Sequence, residues 1–147
     1  SHGVPMGRRA LVAACFGNQA DTVKFLLEEG CDPDAGDFVG FTSLHEAAKW
    51  SGPDVVKLLL DAGADMNVRT DRGLSPLDAI ADISQTAFRY GDTKYAKYAT
   101  SDRRIQVAQT LIDAGADPKA VADEGGRSAL ELATELGDTA LIEVFTK

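Results

Sequence analysis

One short stretch carries the groups best suited to chemistry. His45 and Glu46 begin the stretch HEAAK, which starts like the zinc-binding motif H-E-x-x-H. The fifth residue is Lys49, so the second histidine of that motif is missing. The other histidine, His2, belongs to a leading Ser-His pair that we interpret as the remnant of a cleaved tag. A single histidine cannot build a histidine-rich metal site or supply both an acid and a base. The sequence therefore predicts a structural role for His45.

The remaining reactive side chains also lack the partner residues that a catalytic or metal site requires. Cys15 and Cys31 are too few for a disulfide framework, and both stand where a small apolar residue would serve, which favours buried thiols over a bridge. Asp32, Asp34 and Asp37 differ from a calcium loop in spacing, and no glutamate closes the series. We find no phosphate-binding loop and no G-x-S-x-G motif. The sequence predicts no catalytic residue, no metal ligand and no cofactor.

Composition limits the partners. The 147 residues suffice for one domain with a core, and the net charge is −8 with a pI near 4.6. Nucleic acids and anionic membranes require a basic surface, so neither is an expected partner. No apolar run is long enough to span a bilayer. We expect a soluble chain, cytoplasmic if no signal peptide was removed, with a secreted or periplasmic location left open.

A repeat with a period of 33 residues organises the chain. EEGCDP, DAGADM and DAGADP place Gly30, Gly63 and Gly115 at spacings of 33 and 52 residues. The stretches GFTSLHEAA, GLSPLDAIA and GRSALELAT begin at Gly40, Gly73 and Gly126 and follow nearly the same spacing. Apolar residues at helical spacing fill the intervals. Each repeat unit is therefore predicted to form a pair of helices, the second of which ends at a glycine.

These motifs resemble the ankyrin repeat, whose pattern is roughly G-x-T-P-L-H-x-A-A-x-x-G-x-x-x-x-V-x-x-L-L-x-x-G-A-D. The resemblance covers nearly the whole chain and implies an all-α solenoid of helix-turn-helix pairs joined by hairpin fingers. It also implies a hydrogen bond between His45 and the threonine before it. We expect a tag remnant or disordered start at 1–6 and a single domain at 7–147. The repeats are expected at about 7–39, 40–72, 73–125 and 126–147, with an insertion at 84–102 in the third.

Ankyrin arrays bind proteins, and the resemblance implies that finger tips and first helices line the binding face. The finger between repeats one and two, with the end of the adjacent helix, is expected to expose an aromatic cluster, which is typical of binding hot spots. The alternative is that its two phenylalanines fold onto neighbouring fingers and its tryptophan onto the next helix. The predicted surface comprises Phe38, Val39, Phe41, Lys49, Trp50, Arg72 and Leu74.

The insertion differs in composition from the rest of the chain. It holds all three tyrosines, Tyr90, Tyr95 and Tyr98. Residues 84–104 carry a charge of +3 against −11 for the rest of the chain. Tyrosine and arginine are common in contact surfaces. We expect a partly helical segment that contacts a partner; the alternative is a segment that packs on its own acidic scaffold.

The sequence thus predicts a non-catalytic protein–protein interaction module that is a monomer when free. The specific hypothesis is a stand-alone inhibitor or immunity-type regulator that occludes a partner enzyme with a basic surface. A scaffold fragment of a larger signalling protein and a homo-oligomerisation module are the alternatives.

Overall fold

The computed structural model describes residues 4–34, 42–71, 73–81, 102–121 and 126–147, with side chains from residue 10 onward. Helices dominate these ranges and come in consecutive pairs. They are α1 (Val4–Phe16), α2 (Ala20–Glu28), α3 (Ser43–Trp50), α4 (Pro53–Asp61), α5 (described over 76–81), α6 (Asp102–Asp113), α7 (Ala129–Leu136) and α8 (Thr139–Phe145).

The helix pairs stack in chain order. Within the pairs, α1 packs on α2, α3 on α4 and α7 on α8. Between the pairs, the first helices α1 and α3 are in contact, and the second helices form a continuous row in which α4 lies between α2 and α6, and α6 contacts α8. Each repeat therefore buries its apolar face against the next one, which confirms the predicted all-α stack.

A continuous apolar core runs along the stack. On α4, Val55, Val56 and Leu59 are fully buried at helical spacing. The core extends to Leu11 at one end and Leu141 at the other. Complete burial of one such side chain stabilises the fold by about 1.5–3 kcal/mol, and the shared core couples the stability of neighbouring repeats.

The ends of the second helices follow the sequence prediction. Gly30, Gly63 and Gly115 have φ angles of 95°, 98° and 113°, the left-handed conformation that glycine adopts at a helix C-terminus. Pro53 occupies the first turn of α4, where its missing N–H is not needed.

Two boundaries differ from the expected ones. Helix α1 begins at Val4, within the six residues expected as a tag remnant or disordered start, and α6 begins at Asp102, the last residue of the expected insertion. Residues 82–101 lie outside the described ranges, so the helical content of the insertion stays a prediction. In the ranges that are described, no helix is long and apolar enough to cross a bilayer.

Candidate functional site

A partly exposed aromatic pair, Phe16 and Trp50, lies at the ends of two neighbouring first helices. Phe16 ends α1 and Trp50 ends α3. Their ring centroids are 5.1 Å apart with the planes tilted by 54°, a favourable aromatic geometry. Phe16 is 53% exposed, and Trp50 is half-buried. The Nζ atom of Lys49 lies 6.0 Å from the centroid of the Trp50 ring, which adds a cation–π contact.

Hydrogen bonds between the repeats hold these two helix ends together. The hydroxyl of Ser51, just after α3, donates to the carbonyl of Cys15 near the end of α1. The backbone N–H of Gly52 donates to Oδ1 of Asn18 at 3.1 Å. Because both bonds join the turn of repeat one to the turn of repeat two, they fix the spacing of the aromatic pair.

The structure describes only part of the predicted surface. Trp50 lies against the preceding repeat through Phe16, and Lys49 and Leu74 are half-buried. The other predicted contact residues lie outside the described ranges, and their roles stay predictions; they are Phe38, Val39, Phe41, Arg72, Tyr90, Tyr95 and Tyr98.

Phe16 is the residue of this aromatic pair that the sequence analysis did not single out. It follows the second alanine of an alanine pair by two residues, as Trp50 does. The two aromatic residues are 34 residues apart, one more than the repeat period of 33, so alignment on the glycines hides their equivalence.

His45 has the structural role predicted for it. Its imidazole is fully buried, and Nδ1 lies 2.8 Å from the Thr42 hydroxyl oxygen, which confirms the threonine–histidine bond that the resemblance implies. The backbone N–H of Thr42 donates to Nδ1 at 3.2 Å. The proton therefore sits on Nε2, which donates to the carbonyl of Leu74 at 2.8 Å. His45 thus caps its own helix and fixes the start of the next repeat.

Asp78 occupies the corresponding position in repeat three with charged chemistry. Its Oδ2 accepts from the backbone N–H of Ser75 and from Nη1 of Arg69, both at 3.0 Å. The same Nη1 donates to the carbonyl of Gly73 at 2.7 Å. Burial raises the pKa of the Asp78 carboxyl, although its bonds with Ser75 and the Arg69 charge oppose the shift. In repeat three, the ion pair of Asp78 with Arg69 thus takes the place of the neutral hydrogen bonds that His45 makes in repeat two.

Cys15 and Cys31 are free thiols. Cys15 is buried, as predicted, while Cys31 is half-buried. Burial, with a smaller contribution from the charge of Glu46, raises the pKa of Cys15 to about 12. The thiol of Cys15 is therefore protonated near neutral pH and is a poor nucleophile. Over the ranges described, no group of three or more His, Cys, Asp or Glu side chains could hold a metal ion.

Comparison with known proteins gives concordant results. Residues 2–70 match a family model described as "Ankyrin repeats (3 copies)". The chain is 34% identical over 111 residues to a putative ankyrin repeat protein of Rickettsia bellii, covering 74% of this chain and 61% of that protein. It is 41% identical over 80 residues to human ankyrin repeat and SOCS box protein 11, covering 54% and 24%. It is 26% identical over 142 residues to mouse NF-kappa-B inhibitor delta, covering 95% and 43%. The chain thus spans between about a quarter and three fifths of the length of these relatives.

Proposed function

Since the chain belongs to the ankyrin-repeat family, whose repeats are protein–protein interaction modules, we propose that it binds a partner protein, without catalysis, through the aromatic pair Phe16 and Trp50. The observation that carries this proposal is an aromatic pair left partly in water on a rigid stack. Phe16 exposes 53% of its surface although its ring already contacts Trp50. Aromatic anchors that are held in place before binding lose little entropy and commonly dominate the energy of an interface.

The surroundings of the pair suit a protein surface. The ammonium group of Lys49 lies beside the Trp50 ring and adds a positive charge next to the aromatic pair. The chain as a whole carries a charge of −8, which speeds the approach of a partner with a basic surface. An apolar contact between aromatic rings, with a polar rim around it, is the usual arrangement of an interface.

The finer proposal is that binding inhibits the partner. A rigid stack can occlude the active site of an enzyme sterically and needs no reactive groups of its own. The similarity to NF-kappa-B inhibitor delta, a protein named as an inhibitor, supports this proposal. The acidic charge further favours an enzyme whose active-site cleft is basic.

Affinity capture from source-cell extract tests the binding proposal. The immobilised chain is compared with a Phe16→Ala, Trp50→Ala variant and with Phe25→Ala as a matched control. Phe25 is 58% exposed but lies on the second helix of repeat one, away from the pair in sequence and element. We expect a protein that the wild type and the control retain and the double variant loses by at least about tenfold, since two hot-spot rings together contribute more than 1.4 kcal/mol.

The outcomes separate binding from inhibition. Equal retention of every captured protein by the double variant, with its folding verified by circular dichroism, would contradict the proposed site. If the captured protein is an enzyme, its turnover is then measured with saturating chain. Undiminished turnover would contradict inhibition and leave the binding role in place.

A further inference from the structure

A cavity of about 370 Å³ lies between α4 and α6, the second helices of repeats two and three. Leu60 and Thr110 line it and are half-buried, whereas its other lining residues are exposed. Those residues are Lys57, Asp61, Asp113 and Ala114. The cavity is therefore open to solvent and has charged groups at its edge.

Thr110 explains why the two helices leave this space. It lies five residues before the glycine that follows its helix, as Leu58 does in α4. Leu58 packs against the core. Threonine is smaller than leucine, so α6 fills less of the space toward its preceding repeat than α4 does. The Thr110 hydroxyl donates to the carbonyl of Gln106 at 2.8 Å within its own helix, so it needs no polar partner in the cavity.

The edge of the cavity carries negative charge from two sources. Asp61 and Asp113 are the last residues of α4 and α6, and both are exposed. The C-terminal end of a helix also carries a partial negative charge, which a lysine or arginine in the last turn can offset. Neither α4 nor α6 has a basic residue in its last turn. Both helix ends therefore favour a cation supplied by another molecule.

The two carboxylates retain acceptor capacity. Nε2 of Gln109 donates to Oδ1 of Asp113 at 2.8 Å, and no described residue donates to its Oδ2. The side chain of Asp61 forms no ion pair within the described part of the chain. Lys57 lines the same cavity but lies beyond ion-pair distance of both aspartates. A donor that enters the cavity thus finds oxygens on both helices.

We propose that this cavity binds an arginine side chain of a partner protein. The methylene groups of the arginine lie against Leu60, and its guanidinium donates to Asp61 and Asp113. Arginine suits the site better than lysine, because its planar guanidinium donates in two directions and the carboxylates belong to different helices. The site lies on the second helices, so it is a second contact surface that does not depend on Phe16 and Trp50.

The charge around the cavity agrees with a basic ligand. Residues 28–34, 61–67 and 113–119 end the second helices of the first three repeats and begin the following loops. They contain four, two and two exposed acidic residues, against a single lysine, Lys119. This edge of the stack therefore attracts a basic segment and raises its local concentration at the cavity.

Methyl NMR of the leucine-labelled chain tests the proposal. The probe is the peptide acetyl-Gly-Gly-Arg-Gly-Gly-amide at low ionic strength, and the matched probe has norleucine in place of arginine. The signals of Leu60 are assigned by their loss in Leu60→Met. We expect a saturable shift of these signals with the arginine probe and binding at least about fivefold weaker with norleucine, which keeps the apolar stem and lacks the charge.

Four variants locate the site. Asp61→Asn with Asp113→Asn should weaken binding of the arginine probe by about fivefold, the effect of two exposed ion pairs. Thr110→Leu should fill the cavity and abolish binding, while its urea midpoint rises because the space is packed. Asp54→Asn removes an exposed charge from the other end of α4 and should leave binding unchanged. The Phe16→Ala, Trp50→Ala variant should bind the probe as the wild type does, which separates this site from the aromatic pair.

The proposal is overturned by any of four results. They are the absence of a saturable shift in the wild type, equal binding of the norleucine probe, undiminished binding after Thr110→Leu, and a loss for Asp54→Asn as large as that for the double aspartate variant. The last result would show a general attraction to an acidic surface instead of a site between α4 and α6.

Discussion

At the scale of single residues, repeats two and three place different side chains at the same position. Repeat two has the neutral His45 there, and repeat three has the charged Asp78. His45 is a neutral imidazole with a hydrogen bond at each nitrogen. Asp78 is a carboxylate, only 2% exposed, whose ion-pair partner is Arg69. A buried pair that loses one partner leaves a buried charge, which costs more than the pair itself contributes. The strength of the ion pair between Arg69 and Asp78 therefore depends on the protonation of Asp78.

The first prediction concerns the ion pair of Arg69 with Asp78. Burial raises the pKa of Asp78, so the folded chain binds this proton more tightly than the unfolded chain. The resulting contribution to stability is present below the ordinary pKa of an aspartate and is lost as the pH rises through the raised value. Arg69→Met removes the positive charge that stabilises the Asp78 carboxylate, so it should lower the free energy of unfolding by about 3 kcal/mol at pH 7. The loss should be smaller at pH 4.5, because more of the Asp78 carboxyl is then protonated and carries no charge. Urea unfolding at both pH values measures this.

The control for this prediction removes the negative charge of Asp78 as well. Asp78→Asn in the Arg69→Met background keeps a hydrogen-bond acceptor for the N–H of Ser75 without the charge. We expect it to recover most of the loss at pH 7. A cost of Arg69→Met that is the same at both pH values, or no recovery in the double variant, would show that the carboxylate is not the origin of the effect.

At the scale of helices, the ends of α4 and α6 provide a matched pair. Gly63 and Gly115 both adopt positive φ, so an alanine at either position should cost about 1 kcal/mol. A Cβ atom at Gly63 would meet nothing within 4 Å, whereas one at Gly115 would lie 3.2 Å from Cε of Met66 in the preceding repeat. We predict that Gly115→Ala costs about 0.5 kcal/mol more than Gly63→Ala, as measured by denaturant unfolding.

A double-mutant cycle identifies the source of that difference. Met66→Ala removes the crowded methyl group, so Gly115→Ala in that background should cost no more than Gly63→Ala. Equal costs for the two glycine variants in the unmodified chain would contradict the prediction. The comparison is specific because the two helix ends have the same backbone conformation.

The helix ends also show how far a sequence can be interpreted without coordinates. The glycines and Pro53 follow from local patterns, because each depends on residues a few positions away. The bond of His45 with Thr42 follows from the resemblance to the ankyrin repeat, whereas its bond to Leu74, 29 residues away, does not follow from a local pattern. The contact between Phe16 and Trp50 joins different repeats and depends on a spacing of 34 rather than 33 residues. The pair of Arg69 and Asp78 was likewise hidden, since an aspartate at the histidine position does not reveal its partner.

At the scale of the whole molecule, the stack is polarised along its length. The exposed aromatic residues among those described, Phe16 and Phe25, belong to repeat one. The ion pair of Arg127 with Glu135 lies at the other end, on repeat four. An ion pair between Arg104 and Asp138 at 2.9 Å joins repeats three and four. The pair of Phe16 and Trp50 therefore places the proposed partner contact at the first half of the stack.

The measurement that tests the central claim most directly uses the single tryptophan. Trp50 is the only one in the chain, so incorporation of 5-fluorotryptophan gives one fluorine resonance that reports on the aromatic pair. The captured partner is added to saturation, and binding is verified independently by size-exclusion chromatography. We predict that the resonance shifts or broadens with bound fraction, because the partner covers the exposed face of the pair. An unchanged resonance in a verified complex would show that the partner binds elsewhere and that Phe16 and Trp50 serve only to join repeats one and two.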